Sequence, residues 1–156
     1  VRARLGSAEV VHLATHGYAY ASDARARDSF VALAPDMSDG GLLTVGEVLD
    51  DARFAMNADL VVLSACQTGL GNRRMAEGTV GLQRAFLAKG ARSVLVSLWS
   101  VDDAATGALM ARFYAHWLDG SQRRSKAEAL RAAQEDLRTG RVRAGWTHPR
   151  FWAGFQ

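Results

Sequence analysis

Two apolar runs in this chain each lead directly into a short polar motif, and the two motifs hold a histidine and the only cysteine. The run 9–13 leads into Ala14-Thr15-His16-Gly17, and the run 59–63 leads into Ser64-Ala65-Cys66-Gln67. Val and Leu at consecutive positions predict strands buried in a parallel sheet. If the two strands are neighbours, their carboxyl ends place the imidazole and the thiol at one sheet edge, where open α/β sheets hold their sites. This arrangement is typical of a cysteine nucleophile with a histidine base.

The rest of the chain alternates predicted strands with predicted helices. The further strands are expected over 93–98 and from Phe151 onward, and the helices over 45–53, 77–89, from Asp102 or Asp103, and over 125–138. Such alternation favours an α/β fold with a parallel sheet, right-handed crossovers and helices on both faces. The segment 18–41 is too long for an ordinary connection, so we expect either a functional loop or a hairpin insertion there.

Local motifs mark the ends of these helices. Thr44 followed by Glu47 predicts a capping box, and Gly90 predicts a helix end. Gly78 and Gly81 lie inside the second helix, where glycine costs stability unless a backbone comes close, so we expect that helix to lie tightly against the sheet. We expect a loop over Thr68–Asn72, directly behind Cys66.

Composition limits the domain count and the class of partner. At 156 residues and 49% hydrophobic content, the chain suffices for one domain, 1–156, and the absence of an initiator Met predicts a fragment of a larger protein. The net charge of +3 comes from scattered arginines without interleaved aromatic residues, so we expect no direct contact with nucleic acid. No apolar stretch reaches the roughly 18 residues of a membrane span. A single cysteine excludes an internal disulfide and fits a reducing compartment, so we expect a cytoplasmic location and no metal.

The chemistry expected at the sheet edge needs a thiolate, which a nearby histidine makes more abundant at neutral pH. His16 is the best-placed base, and the backbone N–H groups of Gly17 and Cys66 are candidates to stabilise an oxyanion. The alternative is that Cys66 is a small buried hydrophobe and His16 a loop residue. His12 lies within a strand and is expected to be a hydrogen-bonded core histidine; its alternative role is that of the base, although a buried site within a strand is harder for a substrate to reach. His116 and His148 are expected at the surface or in turns.

Several motifs together resemble the CHAT domain, a member of the caspase-like clan of cysteine peptidases that is usually found beside tetratricopeptide repeats. They are Ala14-Thr15-His16-Gly17, Leu63-Ser64-Ala65-Cys66-Gln67-Thr68-Gly69, Glu77-Gly78, the segment 97–103 with Ala105-Thr106, Phe113-Tyr114, and His148-Pro149 with Trp152-Ala153. The resemblance implies a three-layer caspase-like fold with a mostly parallel central sheet and helices on both faces. It also implies His16 as general base, Cys66 as nucleophile, Gly17 in the oxyanion region, and a tetratricopeptide-repeat or other regulatory domain as partner.

The third predicted strand is followed by Asp102 and Asp103, which are candidates to bind substrate. A carboxylate there can receive an arginine or lysine side chain through charge-assisted hydrogen bonds. The segment 99–103 also resembles one in separases, which cut after arginine, and on that likeness Asp103 is the closer match. The alternative is that either aspartate is simply a helix N-cap. We therefore predict a cysteine endopeptidase that needs no cofactor and cleaves protein or peptide substrates. The alternative function is a catalytically silent caspase-like signalling or interaction module.

Overall fold

Short strands and helices alternate along the chain in the computed structural model, which describes residues 2–20, 22–35, 40–52, 54–64, 66–67 and 75–156. The backbone divides into two units, the first spanning Val1–Ser100 together with Gln156 and the second Val101–Phe155. The first unit contains α1 (Arg2–Leu5), β1 (Val10–Leu13), β2 (His16–Tyr18), a 3₁₀ helix (Asp23–Asp28), β3 (Phe30–Ala32), β4 (Leu42–Thr44), α2 (Val45–Asp50), β5 (Leu60–Leu63), β6 (Cys66–Gln67), α3 (Met75–Ala88) and β7 (Val94–Val96).

A parallel sheet of strand order β1-β5-β7 confirms that the two predicted strands are neighbours. All four residues of β5 are buried, because this strand lies between the other two. In β1, Val11 and Leu13 are buried whereas Val10 and His12 are exposed, as expected for a strand at the sheet edge. Complete burial of β1 was therefore the wrong prediction, and complete burial of β5 was correct.

Three strands between His16 and Thr44, together with Cys66–Gln67, form a second sheet. Its strand order is β4-β3-β2-β6, in which β2, β3 and β4 pair antiparallel and β2 pairs with β6 in parallel. Of the two alternatives for 18–41, the hairpin insertion is the one observed. The predicted loop Thr68–Asn72 lies outside the described residues.

The helices of the first unit begin and end close to their predicted positions. Thr44 and Glu47 form the complete capping box of α2, with the Glu47 N–H donating to Thr44 Oγ1 at 3.1 Å and the Thr44 N–H to Glu47 Oε2 at 2.8 Å. After α3, Gly90 has a φ of +106° and ends the helix as expected. The helix α3 packs against β7, as predicted. At Gly81 itself the neighbour is a helix, since an added Cβ would lie 3.8 Å from Val45 Cγ2 of α2.

The second unit is built on two helices, α4 (Asp103–Trp117) and α5 (Lys126–Arg138), followed by 3₁₀ helices over Ala144–Trp146 and Pro149–Phe151. Their buried residues recur at helical spacing: Leu109, Met110, Phe113, Ala129, Ala133 and Leu137. The strand predicted from Phe151 is wrong, since Pro149 starts a 3₁₀ turn that His148 caps. Gln156, part of the first unit, exchanges two backbone hydrogen bonds with Val96.

The described chain is thus a mixed α/β structure with a parallel sheet. None of the helices in its described ranges is long and apolar enough to cross a bilayer.

Candidate active site

The two candidate catalytic residues lie in the second of two stretches of parallel strand pairing that share one register. The β1–β5 pairing ends with Leu13 opposite Leu63, and the Ser64 N–H then donates to the Leu13 carbonyl at 3.2 Å. Pairing resumes between β2 and β6 with His16 opposite Cys66, at the same sequence offset. The backbones of His16 and Cys66 therefore lie side by side on neighbouring parallel strands.

We predicted that His16 and Cys66 lie just after the ends of β1 and β5. The structure corrects this prediction, because each residue is the first residue of a further short strand, β2 or β6. Strands of three and two residues leave no periodic pattern to detect. Thr15 is part of the predicted motif, but its contact was not predicted: Thr15 Oγ1 donates to the Ala32 carbonyl at 2.6 Å and ties the residue before His16 to β3.

Alternation along β2 decides which side chains face outward. Gly17 is buried and pairs with Val31, whereas His16 and Tyr18 are exposed. An exposed imidazole can meet a substrate, which a buried one cannot. The loop-residue alternative for His16 does not hold, because the residue is part of a paired strand.

An aromatic cluster continues the exposed side of β2. The Tyr18 ring stacks on Phe30 with centroids 6.1 Å apart and meets Tyr20 edge-on at 4.8 Å. The Arg25 guanidinium lies 3.7 Å from the Tyr20 ring centroid. Tyr18, the centre of this cluster, is two residues after His16 and is exposed like it.

His12 is set apart from this pair. Its Nε2 lies 3.1 Å from Ser64 Oγ, which confirms the predicted hydrogen bonding, but the residue is on the exposed side of β1 and not in the core. Partial burial of the ring lowers the pKa of His12 below its usual value. A lowered pKa favours the neutral imidazole at pH 7.

The two aspartates after β7 belong to the second unit. Asp102 is the N-cap of α4, and its Oδ1 accepts the Ala105 N–H at 2.8 Å, so the capping alternative is confirmed for this residue. Asp103 is the first residue of α4. Contact of either carboxylate with a substrate remains a prediction.

The remaining histidines occupy different environments. His148 is a turn residue as predicted, and its Nδ1 accepts the Arg150 N–H at 3.2 Å. His116 is instead within α4, largely covered, with Nε2 2.8 Å from Asp136 Oδ2. In the described part of the chain, no three His, Cys, Asp or Glu residues are grouped to hold a metal ion.

Comparison with known proteins identifies the class to which this fold and paired ladder belong. The family model of the CHAT domain matches residues 1–156, and the chain belongs to the CHAT domain family, within the caspase-like clan of cysteine peptidases. It is similar to tetratricopeptide repeat protein 28 of Mus musculus (40% identity over 115 residues) and of Homo sapiens (38% over 114 residues). Each match covers 73% of this chain and 4% of the relative. The names of both relatives agree with the expected association between CHAT domains and tetratricopeptide repeats.

Proposed function

We propose that this chain is a cysteine endopeptidase in which Cys66 is the nucleophile and His16 the general base. The observation that carries the proposal is the parallel pairing of the His16 and Cys66 backbones. Membership of the CHAT domain family, within the caspase-like clan of cysteine peptidases, supports it, because the family resemblance implies a histidine base and a cysteine nucleophile at these two positions.

The proposed reaction has two steps. His16 takes the thiol proton of Cys66, the thiolate sulfur attacks the peptide carbonyl, and His16 then protonates the departing amine. Water, deprotonated by His16, releases the acyl group and restores the thiol. During both steps, the backbone N–H groups of Gly17 and Cys66 stabilise the negative oxygen of the tetrahedral intermediate.

Substrate selection is the second part of the proposal. We assign recognition of an arginine or lysine before the scissile bond to Asp103, because it is the closer match to the separase segment that the sequence 99–103 resembles. A carboxylate bound to a guanidinium forms charge-assisted hydrogen bonds that an uncharged side chain does not match.

The setting of the enzyme is also proposed from its family. We expect the chain to form a three-layer caspase-like fold with helices on both faces of its sheet, in a cytoplasmic protein. A tetratricopeptide-repeat or other adjoining domain would regulate it, as the names of the relatives favour.

The test is peptide cleavage by the protein that contains this chain. A panel of peptides with Arg, Lys, Leu or Asp before the scissile bond is incubated with the wild type, Cys66→Ala and His16→Gln. Both substitutions are expected to lower kcat/KM by at least about a thousandfold, because each removes a group that acts in the transition state.

His12→Gln is the matched control, since it changes a histidine on the adjoining strand that takes no part in the proposed reaction. It is expected to cleave at close to the wild-type rate. Equal turnover by wild type and Cys66→Ala, or no turnover by the wild type on any peptide, contradicts the proposal and favours the silent signalling module.

A further inference from the structure

An ion-pair network in the second unit joins α4 to α5 and places a histidine between a carboxylate and a guanidinium. Its centre is Asp136, which is 4% exposed. The surrounding groups are Arg112 Nε at 2.8 Å, His116 Nε2 at 2.8 Å and Arg141 Nη1 at 3.2 Å from the carboxylate oxygens. On the far side of the imidazole, Arg124 Nη1 lies 2.6 Å from His116 Nδ1.

These contacts fix the protonation state of His116. A guanidinium carries only hydrogen-bond donors, so the Nδ1 atom that meets Arg124 must be the acceptor. The ring proton then lies on Nε2, where it is donated to Asp136. The imidazole is therefore neutral when both contacts exist.

The residues between the two helices, 118–125, form a link that depends on this contact. Asp119 Oδ1 holds its start by accepting from the N–H of Ser121 at 3.0 Å, and the capping box of Ser125 and Glu128 holds its end. Between them, Arg123 has a φ of +44°, a left-handed conformation that residues other than glycine rarely adopt. The contact between Arg124 and His116 ties this strained part of the link to α4.

We propose that His116 is a proton-operated latch: when its Nδ1 is protonated, Arg124 is released from α4 and the 118–125 link loosens. A protonated His116 Nδ1 and the Arg124 guanidinium are both donors and cannot form a hydrogen bond with each other. Protonation therefore breaks this contact, whatever charges lie nearby. The Nε2–H remains on Asp136, and the α4–α5 junction itself is retained. The device lies outside the proposed catalytic pair and stands whether or not the chain is a peptidase.

Charged groups face His116 from its own helix, from α5 and from the link. Those facing it are Arg112 on its own helix, Asp136 and Arg141 from α5 and beyond, and Asp119 and Arg124 from the link. Burial raises the pKa of Asp136, but hydrogen bonds from His116, Arg112 and Arg141 outweigh this and lower it. Bonds from Ser121 lower the pKa of Asp119, and bonds from Ser125 lower that of Glu128. These carboxylates stay ionised across the range in which histidines ordinarily change charge.

Two measurements on the full chain test the latch. First, ¹⁵N spectra of labelled histidines at about pH 7.5 should show His116 neutral with its proton on Nε2. Second, hydrogen exchange of amides 119–125, corrected for the intrinsic effect of pH, should rise at least about fivefold between pH 7.5 and 5.5. The variant His116→Gln, whose amide can accept from Arg124 and donate to Asp136 without titrating, should abolish this rise.

His148→Gln is the matched control and should exchange like the wild type, since it changes a histidine elsewhere in the same unit. A proton on Nδ1 of His116 at neutral pH overturns the proposal, and this measurement needs no variant. An equal rise in His116→Gln and the wild type, or no rise in the wild type, overturns it as well.

Discussion

At the start of α4, neighbouring residues differ in how their polar atoms are satisfied. The Asp102 carboxylate accepts the Ala105 N–H, and its carbonyl accepts the Thr106 N–H at 2.8 Å. Thr106 Oγ1, by contrast, is buried and has no hydrogen-bond partner among the described residues. Burying a hydroxyl group without a hydrogen-bond partner costs free energy, whereas burying a methyl group of the same size does not.

Thr106→Val is therefore expected to stabilise the protein, by about 1 kcal/mol in the free energy of unfolding. The comparison is Thr44→Val, which has the same change of shape but removes the hydroxyl of the α2 capping box and should cost about 1 kcal/mol. Urea denaturation of both variants measures the difference. A loss of stability in Thr106→Val would mean that this hydroxyl has a partner.

At the level of elements, α3 ends at a point where two backbones nearly touch. Gly90 donates its N–H to the Leu87 carbonyl, and the Met56 N–H donates to the Lys89 carbonyl at 2.7 Å. A Cβ on Gly90 would overlap the Met56 carbonyl oxygen, and the positive φ disfavours a side chain in any case. The junction between α3 and the chain leading into β5 therefore requires glycine.

Gly90→Ala should lower the free energy of unfolding by about 1–3 kcal/mol, because strain and overlap add. Gly107→Ala is the opposite case. Gly107 lies in α4 with open space where a Cβ would be, so the substitution should raise the free energy of unfolding by about 0.5–1 kcal/mol through the higher helix propensity of alanine. Thermal unfolding of both variants checks this. Equal changes in the two would show that the close approach at Met56 can relax.

The elements that the sequence predicts well are those with local causes. Helices α2, α4 and α5 begin where predicted because Thr44, Asp102 and Ser125 cap them through bonds within three residues. Strand β5 was predictable from its unbroken apolar run. Strands β2 and β6 were not, since their pairing depends on partners far along the chain. For the same reason, the candidate pair His16 and Cys66 was predictable as neighbours, but not as members of a second sheet.

At the scale of the whole molecule, the buried carboxylate of Asp136 makes stability depend on pH. Hydrogen bonds lower the pKa of Asp136 in the folded state despite its burial. A lowered pKa contributes stability that is fully present above the ordinary aspartate range and is lost as the pH falls through the folded-state value. Arg112 and Arg141 are 46% and 67% exposed, so solvent screens part of this contribution.

Asp136→Asn is expected to cost about 1–3 kcal/mol at neutral pH, less than for a fully buried pair. The difference from the wild type should begin to shrink near pH 4, where the carboxylate takes up a proton in the unfolded chain, and should shrink further as the pH falls through the lower folded-state pKa. The neighbouring exposed Glu135→Gln, which only loses its pair with Arg138, should change the free energy of unfolding much less, because solvent screens that pair. Denaturant midpoints of the wild type and the two variants, measured from pH 7 to 3, test this prediction. A stability difference between Asp136→Asn and the wild type that does not change with pH would contradict the role of the Asp136 carboxylate.

The paired residues of β1–β5 and of β2–β6 are separated by the same number of positions in the sequence. This equality limits where residues can be inserted or deleted. A single residue inserted between β1 and β2 alone would slide position 16 past position 66 by about 3.3 Å and reverse its facing. Matching insertions between β1 and β2 and between β5 and β6 would restore the alignment. In related sequences, the segment between β1 and β2 should therefore keep the same length as the segment between β5 and β6. Insertions and deletions should occur instead in the segment from Tyr18 to Gly41.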